Sequence, residues 1–146
     1  MASTTSTKRR AAADALHSAA IHLLRGVRKE DEQTGVGPAR LSALSVLVFA
    51  GPLRLTKLAR IEQVKPPTMT KVITGLEAAG LVRRRPDAVD GRAVKLEATA
   101  RGSRLLQEAR RRRVDRLASA LEACSEDEVD VLARAASIIE RVSGNL

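Results

Sequence analysis

Between Ala11 and Lys29, Leu16, Ala20, Leu23, Leu24 and Val27 return at the spacing that puts them on one face of a helix. The Ser/Thr-rich residues 1–7 ahead of them lack that pattern and are expected to fray. Residues 30–38 turn polar and hold Gly35, Gly37 and Pro38, which reads as a loop. From Ala39 to Ala50 the chain is apolar on most sides, through Leu41, Leu44 and Val48, so a buried helix is expected there, stopped by Gly51-Pro52. Leu53-Arg54-Leu55 is a short extended piece, and Thr56 is placed as the N-cap of a brief helix over 57–62. A turn at 63–65 leads to Pro66 and Pro67, whose missing N–H groups cost little in a helical first turn. That helix carries Met69, Val72, Ile73 and Leu76 and closes at Gly80. Gly75 inside it weakens it by roughly 1 kcal/mol relative to Ala.

After Gly80 the period changes. Residues 81–85 and 92–97 read as two strands around a turn-rich tip, Pro86 to Gly91, giving a β-hairpin with five cations: Arg83, Arg84, Arg85, Arg92 and Lys95. Two helices follow. One starts near Thr99 and runs past Leu105, Leu106, Ala109, Val114 and Leu117 to Leu121. Ser125 caps the last, with Glu128 completing a capping box, and its apolar stripe is Val129, Leu132, Ala136, Ile139 and Val142. The expected fold is mainly α with a small β-hairpin wing.

Composition narrows what such a fold is for. The 146 residues suit one domain, and 44% hydrophobic content supports a real core. The net charge of +9 favours a polyanionic partner, nucleic acid before membrane. Phe49 is the sole aromatic, which argues against base-stacking platforms for single strands and leaves duplex DNA. Residues 53–104 hold twelve basic side chains against five acidic ones, a surplus of seven that puts most of the chain's charge on the helix pair and hairpin. Cys124 stands alone, so no intrachain disulfide or cysteine-based zinc site is possible, and a reducing, cytoplasmic setting is expected. The uncharged run between Arg40 and Arg54 is too short to span a bilayer, and Asp14, His17 and His22 break up the alanine-rich start that would otherwise resemble a signal peptide. No phosphate loop, nucleophile elbow or metal-spaced His/Cys cluster occurs; neither an enzyme nor a cofactor is expected.

Two short helices at a tight turn, followed by a basic hairpin, form a winged helix-turn-helix whose second helix fits the major groove. On that helix Thr68, Thr70 and Lys71 are the expected groove contacts, helped by backbone amides at its start. Thr56, Lys65, Pro66, Pro67, Arg84 and Arg85 are placed beside them on the DNA. Arg92 is assigned to the minor groove, with Asp90 orienting its guanidinium and Asp87 shaping the wing. The run Arg110 to Arg113 points in every direction round its helix and is read as solvated or pairing. Cys124 is read as a structural thiol. His17, His22 and Arg25 on the first helix are candidates for lining an effector pocket.

Residues Leu41 to Leu106 resemble the MarR family of bacterial regulators. The resemblance rests on Pro66-Pro67-Thr68-Met69-Thr70-Lys71-Val72-Ile73, on Leu76-Glu77-Ala78-Ala79-Gly80-Leu81-Val82, and on Asp87, Asp90-Gly91-Arg92, Val94, Leu96, Thr99 and Gly102. It implies one MarR-like domain over 1–146, with 39–98 as the DNA-binding region and 8–33 plus 99–146 as a helical dimerisation region. It further implies a homodimer on palindromic double-stranded DNA, acting as a repressor that a small-molecule effector releases. Many relatives have Ser where Lys65 stands; Lys cannot accept an N-cap hydrogen bond, so the cap is weaker here. The cysteine of the oxidation-sensing branch is absent from the first helix. The alternatives are a constitutive, architectural DNA binder without an effector and a winged-helix module for protein partners.

Overall fold

The computed structural model describes residues 2–145, with side chains from residue 5 onward. Among the described residues there are six helices and one two-stranded antiparallel sheet, in the order α1 (Ala2–Glu32), α2 (Pro38–Ala50), α3 (Leu55–Ile61), α4 (Pro66–Ala78), β1 (Val82–Pro86), β2 (Val94–Ala98), α5 (Ala100–Leu121) and α6 (Glu126–Ser143). The fold is a winged helix with long flanking helices. Backbone contacts divide it into two compact units, 1–113 and 114–146, so α5 belongs to both.

α1 is longer than its apolar rhythm predicts. Residues 2–7, expected to fray, are helical, and so are 30–32, expected to be loop. No Gly or Pro interrupts 2–25, and extending an existing helix avoids the cost of nucleation. The helix ends where Thr34 N–H donates to Asp31 O and Gly35 takes φ 66°.

The core lies in the first unit. Leu44, Leu47, Leu53, Leu58, Met69, Ile73, Leu76, Leu81, Leu96 and Leu106 pack together, joining α2, α3, α4, the hairpin and the start of α5. Leu53, in the predicted extended piece, bridges to Leu96 through both backbone hydrogen bonds, so the hairpin gains a short third partner. The hairpin is offset slightly from its predicted limits. Pairing begins with Val82↔Ala98 and ends with Pro86↔Val94, because Leu81 is used to close α4 instead. There Leu81 N–H reaches Leu76 O and Gly80 N–H reaches Glu77 O, a Schellman cap with Gly80 at φ 69°.

The helix-turn-helix turn uses the same cap. Val64 N–H donates to Ala59 O and Gln63 N–H to Arg60 O, with Gln63 at φ 54°. α3 begins two residues earlier than predicted. Its N-cap is Arg54, whose carbonyl accepts from Lys57 and Leu58, and Thr56 is an exposed residue inside the first turn rather than the cap. α5 starts on Thr99: its hydroxyl donates to Gly80 O at 2.7 Å and accepts from Gly102 N–H at 3.1 Å. Gly102 is buried against Leu81, where a Cβ would lie 2.2 Å from the Leu81 carbonyl oxygen.

The second unit holds the end of α5 and all of α6. Ser125 and Glu128 form the predicted capping box, and the Ser125 N–H and hydroxyl, both donating to Glu128, hold that carboxyl below its usual range. α6 buries no residue: Val129, Leu132, Ala136, Ile139 and Val142 all stay exposed. Cys124 is half-buried at the corner before α6.

Candidate nucleic-acid interface

α4 turns Met69, Ile73 and Leu76 to the core and its opposite side to solvent. At about 100° per residue, Lys71 lies on the solvent side, with Thr68 about 60° to one flank and Thr70 about 100° to the other. All three are exposed. The Thr70 hydroxyl donates to Pro66 O at 3.0 Å, and the Thr74 hydroxyl to Thr70 O at 2.9 Å, so Thr70 offers a ligand its oxygen lone pairs rather than its proton. Neither the Thr68 hydroxyl nor the Lys71 ammonium has a partner among the described residues.

The start of α4 differs from the expected amide-rich anion site. Lys65 is the N-cap and makes no side-chain cap bond, as its chemistry requires. Pro66 and Pro67 carry no N–H, and both Thr68 and Met69 N–H groups donate to Lys65 O. No amide of the first turn is therefore left for a phosphate. Lys65, Pro66 and Pro67 are exposed at this end and offer charge and shape.

The hairpin's cations divide sharply. Arg83 Nε donates to Glu97 at 2.9 Å and Arg85 Nη1 to the same carboxylate at 3.1 Å. Glu97 faces Arg83 across the ladder and is diagonal to Arg85, and hydrogen bonding and charge from Arg83, then Arg85, hold its carboxyl below the usual range. Arg84, on the other face, makes a bidentate pair with Glu77 of α4, at 2.9 and 3.2 Å. Lys95 Nζ lies 3.2 Å from Asp87. Of the five cations expected on the wing, Arg92 alone keeps a guanidinium without a partner among the described residues.

Asp87 is the buried anchor of the wing. One oxygen accepts from Val89 N–H at 3.1 Å; the other accepts from Arg54 Nη2, also at 3.1 Å. The Val89 amide, Arg54 and Lys95 together outweigh burial and lower its carboxyl from 3.8 to about 2. Arg54 also reaches Asp90 at 3.3 Å. Asp90's other oxygen accepts from the backbone N–H of Arg92 at 3.2 Å. Asp90 thus fixes the backbone that carries Arg92 instead of the guanidinium, which the sequence reading had it orient. The Arg54 link spans 33 residues and leaves no local pattern, so sequence reasoning missed it.

His17, His22 and Arg25 are exposed on α1 and line none of the principal cavities. A cavity of about 370 Å³ lies one to two turns further along, where Leu24, Val27, Arg28 and Asp31 of α1 meet Leu106 and Arg113 of α5. Arg113 Nη1 donates to Asp31 Oδ2 at 3.3 Å and lies 3.2 Å from the buried Oδ1, an ion pair with both oxygens of the carboxylate. Within the arginine run, Arg112 lies 3.6 Å from Glu108 and Arg113 pairs with Asp31, so these two are used inside the fold. Among the described residues no cluster of three His, Cys, Asp or Glu side chains is arranged for a metal, and no helix is long and apolar enough to cross a membrane.

A short helix pair on a tight turn, with a charged hairpin behind it, defines a winged helix-turn-helix DNA-binding transcriptional regulator. Residues 38–94 match the MarR family. The chain is 38% identical over 124 residues to an HTH-type transcriptional regulator of Mycobacterium leprae, covering 85% of this chain and 87% of that one. It is 31% identical over 98 residues to the HTH-type transcriptional repressor MdtR of Bacillus subtilis, covering 67% of this chain and 63% of the repressor. Its fold matches that of a MarR family protein from Bacillus stearothermophilus with a TM-score of 0.81 at 23% identity, over 94% and 96% of the two chains. The chain belongs to the MarR family of transcriptional regulators, and such proteins are not enzymes.

Proposed function

We propose that this regulator binds palindromic double-stranded DNA as a homodimer and represses transcription in the cytoplasm until a small molecule releases it. In this reading each subunit sets α4 in a major groove, with Thr68, Thr70 and Lys71 toward bases and phosphates, while Arg92 enters the flanking minor groove. The observation that carries it is the contrast in the hairpin. Arg83, Arg84, Arg85 and Lys95 are paired internally, whereas Arg92 stays unpaired on a loop braced by Asp87, Asp90 and Arg54. Arg84 and Arg85 then act first as struts of the wing, and the phosphates draw on whatever field they retain. Thr56, exposed at the start of α3, is suited to a flanking phosphate.

The dimer is supported by the apolar stripes of α1 and α6, which the single chain leaves exposed. Release by an effector is supported by the cavity lined by Asp31 and Arg113, an ion pair that a small polar molecule can engage. His17, His22 and Arg25 lie along α1 from that cavity and are proposed to shape its approach.

Selection of bound duplexes from a random pool supplies the operator, and fluorescence anisotropy then tests the reading. If the dimer neutralises six to ten phosphates, affinity falls by about 10³–10⁵-fold between 50 and 200 mM salt. Lys71→Ala and Arg92→Ala are each expected to weaken binding with dimerisation intact. A flat salt response, or operator binding unchanged in both variants, overturns it.

A further inference from the structure

Gly75 is the unexplained residue of α4. A glycine in a helix interior is unfavourable, and nothing about its backbone requires one. The reason lies across the interface with α2. A Cβ on Gly75 would stand 2.5 Å from Cζ, Nε and Nη2 of Arg40, so the Arg40 guanidinium rests in the space the missing side chain leaves. Arg40 is itself oddly placed. It is a cation in the first turn of α2, where the helix dipole disfavours positive charge, and no acidic residue in that turn offsets it. Its guanidinium has no hydrogen-bond or ion-pair partner among the described residues, although most hairpin cations have one.

The surroundings say what the pair is for. Gly75 lies about 40° from Lys71 round the helix and close to the line of Thr68, so the guanidinium extends the solvent-facing row of α4 by a turn. Between the start of α2 and α4 is a shallow crevice of about 280 Å³, walled by Gly37, Pro38, Ala39, Arg40, Lys71 and Val72. Two cations line it and no carboxylate does. A guanidinium packed only to cover a helix needs its stem there and leaves its head to water; here the head is the part seated on the helix.

We infer that Arg40 and Lys71 together grip one backbone phosphate of the DNA, and that Gly75 is the notch that positions Arg40 for it. The inference rests on the proposal that α4 reads duplex DNA. Arg40 is the contacting group and Gly75 acts through it.

Operator binding by the full-length protein across a salt series tests this, in Arg40→Ala, Gly75→Ala, the double variant and Lys71→Ala. Arg40→Ala is expected to weaken binding about fivefold near 0.15 M salt and to lower the salt slope by about one. Gly75→Ala displaces only the flexible end of Arg40 and improves helix propensity, so its Tm is expected to hold or rise while its affinity and slope fall as for Arg40→Ala. In the Arg40→Ala background Gly75→Ala is expected to add nothing. Wild-type binding in Arg40→Ala, with Lys71→Ala weakened, overturns the inference and leaves α4 as the reader. Wild-type binding in all four overturns the reading of α4 itself. An equal loss from Gly75→Ala with Arg40 already removed also overturns the inference, since the notch would then act on α4 directly.

Discussion

Asp87 shows how much of the wing depends on one carboxylate. It is buried, yet it is kept ionised by the Val89 amide, Arg54 and Lys95, with its carboxyl lowered to about 2. A carboxyl whose folded value lies below its unfolded one adds stability above the unfolded value, here near 3.8, and loses it as pH falls toward the folded value. Asp87→Asn is therefore expected to lower Tm clearly at pH 7, with the deficit shrinking between pH 4 and pH 2. Calorimetry over that range checks it; a deficit just as large at pH 2 assigns the effect to shape rather than charge. Arg54 and Lys95 make the link tertiary, and this explains what was legible here. The Asp87, Asp90 and Arg92 pattern was visible in the chain, as was the difference between Lys65 and a capping Ser. The partners were not, because Arg54 to Asp87 and Arg84 to Glu77 meet only after the hairpin has folded onto α3 and α4. Counting charge along the sequence therefore overstated the free charge on the wing.

At the scale of elements, Gly and Pro made the boundaries readable: Gly51, Gly80 and the Pro66-Pro67 pair stand where the chain stops or starts helices. The turn of the helix-turn-helix was read only approximately, since its left-handed residue is Gln63 rather than Gly. An L residue there costs on the order of 1 kcal/mol and gives no sequence signal. The α1 limits were misjudged for a related reason, since periodicity marks a buried face and the Ser/Thr-rich start of that helix has none. Gly102 is the element-scale position most open to test. It lets the first turn of α5 close on the backbone of Leu81, joining the hairpin to the helix that leaves it. In Gly102→Ala the obstacle is backbone, which cannot swing aside, and about 3 kcal/mol of destabilisation is expected, at the upper end of overpacking. A urea midpoint within error of wild type refutes this contact. Gly75→Ala is the control of opposite kind, because its obstacle is the mobile end of a side chain.

At the scale of the molecule, the distribution of apolar surface sets the last expectation. The core is assembled almost wholly from residues 41–109, while α1 and α6, 31 and 18 residues long, supply none of its members. Leu16, Ile21, Leu23 and Leu24 on α1 stay exposed, and so do Leu132, Ile138, Ile139 and Val142 on α6. A solvated helix gains nothing from regularly spaced leucines, and large apolar patches on soluble proteins mark partner surfaces. On the proposed function, each stripe is covered by a second copy of the chain, since a two-fold interface lets the same surface serve both subunits. Sedimentation at micromolar concentration is expected to show a dimer, and Tm is expected to rise with protein concentration, because subunit association stabilises the fold by mass action. Leu132→Asp with Ile139→Asp puts two carboxylates into that stripe and is expected to yield monomers whose winged-helix core still melts cooperatively. Operator affinity should then collapse, because each monomer keeps only half of the contacts that a palindrome offers. A wild-type monomer at these concentrations overturns the dimer, and a variant that stays dimeric and binds normally places the interface elsewhere.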